Sequence, residues 1–221
     1  MTARLFAGVD EAGRGPVIGP LVIAVAVFDR SGIEKLSELN VRDSKKISPS
    51  RRQTLEPQIK RLAAEWKTIQ ITPAEIDRLR KEISLNQVEA EKTAELLMSL
   101  KSMPWKVTVD ACDSNADDYG VRVTKHIHEA NEEFRIHEFV SEHKADDKYV
   151  EVSAASVLAK VERDRIVEDL KKEYGDFGSG YPADPQTQQW LSQLRGKSLP
   201  DIVRKSWNTV NKQKQTSLED F

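Results

Sequence analysis

The chain has 221 residues, 38% of them hydrophobic and 32% charged, a balance that excludes a disordered polymer and describes a soluble globular protein. Its net charge of −2 excludes whole-molecule attraction to a polyanion, so any nucleic-acid binding has to come from local clusters. A single cysteine, Cys112, excludes a disulfide framework, and the longest apolar run, Leu21 to Phe28, has 8 residues where a membrane helix needs roughly 20. With no secretory hydrophobic stretch at the start, the chain reads as cytoplasmic, without a membrane partner, and as a monomer on the simplest view.

Leu5 to Val9 and Leu21 to Phe28 are short and apolar, separated by a Gly/Pro-rich turn, and predict two neighbouring strands. Ser48-Pro49 caps a helix striped by Leu55, Ile59 and Leu62, with a kink expected at Pro57. Trp66 to Ile71 predicts a strand, and Thr72-Pro73-Ala74-Glu75 is a capping box opening a helix. Asn86 with Glu89 repeats that device before Ala90, Ala94, Leu97 and Met98. Lys106 to Val109 predicts a strand ending at Asp110, Asn115 to Glu129 a helix, and Phe134 to Val140 another strand. A long helix runs from Val152 to Tyr174, closed by Gly175. Asp184-Pro185 opens a helix ending near Gly196, and Pro200 to Lys212 reads as a final basic helix before a polar tail. Strands alternating with helices imply an α/β layer architecture.

Acids stand beside strands that should be buried: Asp10-Glu11 after the first, Asp110 after Val107-Thr108-Val109, and Asp146-Asp147 after Phe134 to Val140. An acid at the end of a core strand is costly unless positive charge stays with it. Several such acids facing one cleft repel each other, and a divalent cation resolves that; oxygen-only ligands favour magnesium or manganese over zinc. The alternative for any one acid is a helix or turn cap. For Asp10-Glu11 the following Ala12-Gly13-Arg14-Gly15-Pro16 argues otherwise, because two glycines and a cation suit close approach to a phosphate or sugar. Two segments are locally basic: Arg42 to Arg61 holds seven cations and two acids, and Arg195 to Lys214 six and one. Either could be a solvated helix face; beside an acidic cluster they suggest a polyanion substrate.

The sequence Asp10-Glu11-Ala12-Gly13-Arg14-Gly15-Pro16 with Gly19-Pro20-Leu21 resembles the opening motif of ribonuclease HII, the type 2 ribonuclease H, in its archaeal form. Arg42-Asp43-Ser44-Lys45-Lys46 resembles the second block, Val109-Asp110 the third acidic position, and His143-Lys144-Ala145-Asp146 with the Val152 to Lys160 helix the fourth. Gly178-Ser179-Gly180-Tyr181-Pro182 and Asp184-Pro185 resemble the late tyrosine block, so the likeness spans residues 5 to about 210. It implies a ribonuclease H-like fold: a mixed, mainly five-stranded sheet flanked by helices, with a helical C-terminal extension. On that basis residues 1–175 are expected to form the catalytic domain, 176–212 the extension packed on it, and 213–221 a tail.

The implied activity is endonucleolytic cleavage of the RNA strand of RNA–DNA hybrids and nicking 5′ of ribonucleotides embedded in duplex DNA. It would leave a 3′-hydroxyl and a 5′-phosphate. Asp10, Glu11, Asp110 and Asp146 would hold two Mg2+ or Mn2+ ions. In the family the backbone of Gly13-Arg14-Gly15 reads the 2′-hydroxyl, and Tyr181 packs on the neighbouring deoxyribose. Lys45, Lys46 and Lys144 are expected phosphate contacts; Arg204 and Lys205 either grip the duplex or are ordinary surface cations. Asp147 and Asp113 are rival positions for the metal-binding acids. His126, His128, His137 and His143 are expected to be structural or surface residues, and Cys112 to be packing. The related type 3 enzyme usually has lysine where Arg14 stands.

Gln215, Leu218 and Phe221 are spaced three apart, so one tight turn would bring them to one side. The spacing resembles a sliding-clamp-binding peptide; the alternative is a hydrophobic end folded back on its own domain.

Overall fold

The computed structural model describes residues 4–41 and 47–210. Its elements in chain order are β1 (Phe6–Ala12), β2 (Leu21–Phe28), α1 (Arg30–Glu38), α2 (Pro49–Leu62), β3 (Glu65–Ile71), α3 (Pro73–Leu79), α4 (Leu85–Met98), β4 (Lys106–Asp110), α5 (Ala116–Ala130), β5 (Glu138–Glu142), α6 (Ala145–Lys148), α7 (Val150–Tyr174) and α8 (Pro185–Ser192). The strands form one five-stranded sheet in the order β3-β2-β1-β4-β5. β1 and β2 run antiparallel, while β1, β4 and β5 run parallel, so the sheet is mixed.

Two compact units divide the chain, and neither is a single stretch. The first comprises Met1–Ala12, Val22–Ile69 and Asn86–Glu162; the second comprises Gly13–Leu21, Gln70–Leu85 and Arg163–Phe221. In the first, every side chain of β2 from Val22 to Phe28 is buried, as an unbroken apolar run in a covered strand requires. Gly8 of β1 lies directly beneath the start of α7. A Cβ there would come within 2.2 Å of the Glu151 backbone, so only glycine lets helix and strand meet this closely. The second unit has its own core of Val17, Ile18, Val167, Phe177, Leu191, Ile202, Val203 and Val210. There the Asp184 carboxylate caps α8 by accepting from the Gln186 N–H, and four hydrogen bonds, the largest of them from Ser179, hold that carboxyl low, at a pKa of about 2.

Several local expectations shift. Asp10 and Glu11 lie inside β1 rather than beyond its end. α1 follows β2 directly, capped by the Asp29 side chain, where the sequence suggested no element. Asn86 is inside α4 and not its cap, because the helix already begins at Leu85. β5 occupies Glu138–Glu142, four residues later than the expected start, since it pairs from Glu138 against Lys106 of β4. Residues 200–207 are not helical: Val203 forms a β-bridge with Ile18, the Arg204 N–H donates to the Val17 carbonyl at 2.8 Å, and helix resumes only at 208–210. That pairing uses backbone groups a helix would have kept for itself.

Candidate active site

β1 and β4 pair in parallel with Val9 opposite Val109, so Asp10, inside β1, and Asp110, at the end of β4, lie side by side just past the last paired residues. That end of a parallel pair is where α/β sheets place ligands. Asp146 arrives from β5 through Lys144, whose left-handed backbone (φ 55) turns the chain into α6. The turn lets the Ala145 N–H donate to Asp110 Oδ1 at 2.9 Å, which ties the two acidic segments together. The result is a group of three carboxylates, from Asp10, Asp110 and Asp146, each offering an oxygen within 4.8 Å of the others.

Burial makes this crowding severe. Asp10 is 5% exposed and Asp146 1%. Burial first, and then the charges of Asp110 and Asp146, push the Asp10 carboxyl up to about 7 from an ordinary value of 3.8. Two groups on α7 oppose that: Ser156 hydrogen-bonds the carboxylate, and Lys160 lends its charge while donating to Ser156 Oγ at 2.6 Å. Asp10 Oδ1 also accepts the Glu11 N–H at 2.7 Å. Ser156 and Lys160 stand four apart on one helix face, a spacing legible in the sequence, although nothing there tied them to Asp10.

The doublets resolve. Asp147 is exposed, leaving Asp146 as the buried member of its pair. Asp113 is paired with Arg122, accepts the Ser114 N–H at 2.7 Å and is hydrogen-bonded by Asn86, so its pKa is held low; it serves as a local brace apart from the three-acid group. Glu11 does not join that group either. Alternate residues of a strand face opposite sides, so its side chain points away from the α7 side. There its charge, behind burial and Cys112, helps push up the Tyr119 hydroxyl. His143 meets the Ala111 carbonyl at 3.3 Å and His126 meets Gln87 at 2.8 Å; neither imidazole belongs to the acid group. An oxygen-only set of three crowded acids fits a divalent hard cation.

In the second unit, Gly13 (φ 88) lies where a Cβ would fall 2.6 Å from the Pro20 carbonyl, so this turn admits glycine alone. Gly15 is exposed, and a Cβ on it would meet the Tyr181 ring at 3.3 Å. Tyr181 itself is 44% exposed. The Arg163 guanidinium lies 5.7 Å from its ring centroid and donates to the Ser179 carbonyl at 3.2 Å, which braces the tyrosine from below. A cavity of about 430 Å³ opens beside the loop, lined by Arg14, Gly15, Arg80, Ser206 and Trp207 among others.

Arg204 corrects an expectation. It is not a surface grip on a duplex but a fully buried side chain, 0% exposed, hydrogen-bonded to the loop that carries Gly13 and Arg14. Lys205 does face solvent, where its ammonium pairs with Asp201 at 3.3 Å. Lys144 is exposed beside Asp146 in the chain. Lys45 and Lys46, and Gln215, Leu218 and Phe221, lie outside the described residues. Among the described residues, no helix is long and apolar enough to cross a membrane.

A mixed five-stranded sheet flanked by helices, with three crowded acids beside its central strands, defines a ribonuclease H-like protein. The family model described as Ribonuclease HII matches residues 7–210. Ribonuclease HII of Pyrococcus furiosus is 46% identical over 207 residues, covering 93% of this chain and 89% of the relative. The crystal structure of ribonuclease H2 from Pyrococcus horikoshii OT3 superposes with a TM-score of 0.87 at 42% identity, over 96% of this chain and 98% of that one. A structure described as the PCNA:RNase HII complex from Archaeoglobus fulgidus matches with a TM-score of 0.83 at 38% identity, over 98% of this chain and 100% of that one. The chain belongs to the ribonuclease HII family, enzymes that cleave RNA in RNA–DNA hybrids.

Proposed function

We propose that this chain is a cytoplasmic, monomeric endoribonuclease that cuts the RNA strand of RNA–DNA hybrids and nicks 5′ of single ribonucleotides within duplex DNA. The products carry a 3′-hydroxyl and a 5′-phosphate. The observation that carries the reading is the convergence of the Asp10, Asp110 and Asp146 carboxylates to within 4.8 Å.

Those three residues, with Glu11 next to Asp10 on β1, would hold two Mg2+ or Mn2+ ions. Bound divalent cations supply a lowered pKa for an attacking water and neutralise charge on the scissile phosphate and its leaving oxygen. The chain's own part is to hold the acids on β1, β4 and α6, with Lys160 and Ser156 opposing the upward shift of Asp10. Selection of the ribonucleotide falls to the second unit. The Gly13-Arg14-Gly15 backbone meets the 2′-hydroxyl that distinguishes RNA from DNA. Tyr181, half-exposed and braced by Arg163, stacks on the adjoining deoxyribose, where a 2′-hydroxyl would obstruct it. Lys45, Lys46 and Lys144 contact phosphates. Gln215, Leu218 and Phe221 form a peptide for the sliding clamp, a role supported by the Archaeoglobus relative described in complex with PCNA.

A duplex containing one ribonucleotide tests the reading. With Mg2+ or Mn2+ the chain should nick it 5′ of that residue and leave an all-DNA duplex intact. Binding without cleavage would replace the enzyme with a silent hybrid-binding protein, and cutting of branched all-DNA substrates would make it a different nuclease of the same fold. Deleting residues 215–221 should remove clamp binding and leave cleavage of short duplexes unchanged; equal clamp affinity with and without them would retire the tail's assignment.

A further inference from the structure

Arg204 is the largest fully buried side chain among the described residues. Its guanidinium donates through Nη2 to the Gly13 carbonyl at 2.6 Å, through Nη1 to the Arg14 carbonyl at 2.9 Å and through Nε to the Gly19 carbonyl at 3.0 Å. Trp207, three residues on, donates its indole N–H to the Gly15 carbonyl at 3.2 Å, and the Arg204 guanidinium lies 4.8 Å from the Trp207 ring centroid. Three successive loop carbonyls, Gly13, Arg14 and Gly15, are therefore drawn toward one short stretch of chain nearly two hundred residues later, the longest of these separations being 192.

The geometry of the peptide unit gives this a consequence. In a trans peptide the C=O of one residue and the N–H of the next point in opposite directions. With the carbonyls of Gly13 and Arg14 turned onto Arg204 in the interior, the N–H groups of Arg14 and Gly15 are turned to the opposite side of the loop. Gly15 is exposed there and lies against the Tyr181 ring, while Pro16 contributes no N–H that could compete. A buried guanidinium is costly to desolvate, and a plain turn does not need one. Its value is a planar fork of donors at fixed angles, which sets the tilt of two peptide planes at once; a lysine, a flexible point charge, cannot do so.

We propose that Arg204, assisted by Trp207, is the positioning residue for ribose recognition: it presets the Arg14 and Gly15 N–H groups as a pair of donors aimed at a ribonucleotide's 2′-oxygen. This rests on the assignment of the Gly13-Arg14-Gly15 loop as the ribose reader. Arg204 touches no substrate and acts only through the loop.

The test compares two duplexes of one sequence, identical except for a single ribonucleotide, bound with Mg2+ present in an Asp10→Asn background so that neither is consumed. The readout is the ratio of the two affinities, which a general loss of fold would not move selectively. Arg204→Lys, keeping the charge and losing the fork, should lose about ten-fold of the preference for the ribonucleotide while binding the all-DNA duplex as the parent does. Trp207→Phe, keeping the ring and losing one hydrogen bond, should lose about three-fold, and it decides the matter alone if Arg204→Lys does not fold. An unchanged ratio in the folded variants would overturn the proposal and leave Arg204 as a brace for the fold. A parent that shows no preference would overturn the ribose-reading assignment as well, so the two failures are distinct.

Discussion

The two units solve opposite electrostatic problems. In the first, like charges are forced together: three carboxylates crowd one site, and burial, with the charges of Asp110 and Asp146, pushes Asp10 up to about 7. In the second, a buried cation is matched to backbone carbonyls, and the Gly13–Gly15 carbonyls are satisfied before any ligand arrives. The acid site is built to need something from solution. The loop is complete in itself and waits in a fixed shape. On the proposed function, chemistry that depends on bound ions and recognition that depends on preset geometry would fall to different parts of one chain, and they should respond differently to substitution, pH and metal.

The sharpest separation is in activity. Asp146→Asn should lower cleavage of a ribonucleotide-containing duplex by about a thousand-fold or more, because it removes a buried member of the acid group. The same variant, measured by thermal melting in EDTA, should be at least as stable as the parent, since a repulsive charge is gone. A marked loss of stability instead would mean that the acids support the fold rather than strain it.

Next come the glycines, one from each unit. Gly8→Ala should cost about 3 kcal/mol or more, because the new methyl meets Glu151 backbone at 2.2 Å and would drive α7 from β1. Gly13→Ala should cost about 2 kcal/mol, from its φ of 88 and the Pro20 carbonyl at 2.6 Å. Denaturant melts measure both. They also separate the units: Gly8→Ala should weaken metal binding, and Gly13→Ala should spare metal binding and reduce the preference for ribonucleotides.

The last contrast is a pH slope confined to the first unit. The folded state holds a proton on Asp10 up to about pH 7, whereas the unfolded chain releases it near 3.8. Between those values the native state binds the extra proton, so stability should fall as pH rises, by on the order of a few kcal/mol in metal-free protein. Melting curves in EDTA from pH 4 to 7.5 measure this, and Asp10→Asn should flatten the slope.

How much of this was legible in the sequence follows from the same division. Asp110 and Asp146 could be read because each closes or follows a short apolar strand, and strand ends in a parallel sheet converge. Glu11 is next to Asp10 in sequence but on the alternate face of the strand, and a period of two is invisible when two acids are read as a doublet. The segment around Arg204 looked like a basic helix because its charges suggested a solvated face. It folds otherwise because Val203 bridges to Ile18, a long-range pairing that no local pattern announces. Arg204 then became buried through partners almost two hundred residues away, which residue type alone argues against. The position of β5 was misjudged for a similar reason, its start being set by its register against β4 and not by where its apolar residues begin.

The crowding of Asp10, Asp110 and Asp146 is best tested by melting the metal-free chain at pH 7 against increasing Mn2+, alongside Asp10→Asn. A midpoint that climbs and keeps rising with ion concentration for the parent, and moves far less for the variant, is the expected result, because a ligand bound by the folded state alone stabilises it. Identical midpoints with and without the ion would mean that the three acids tolerate one another unaided, and the assignment of this strand end as a metal centre would be lost.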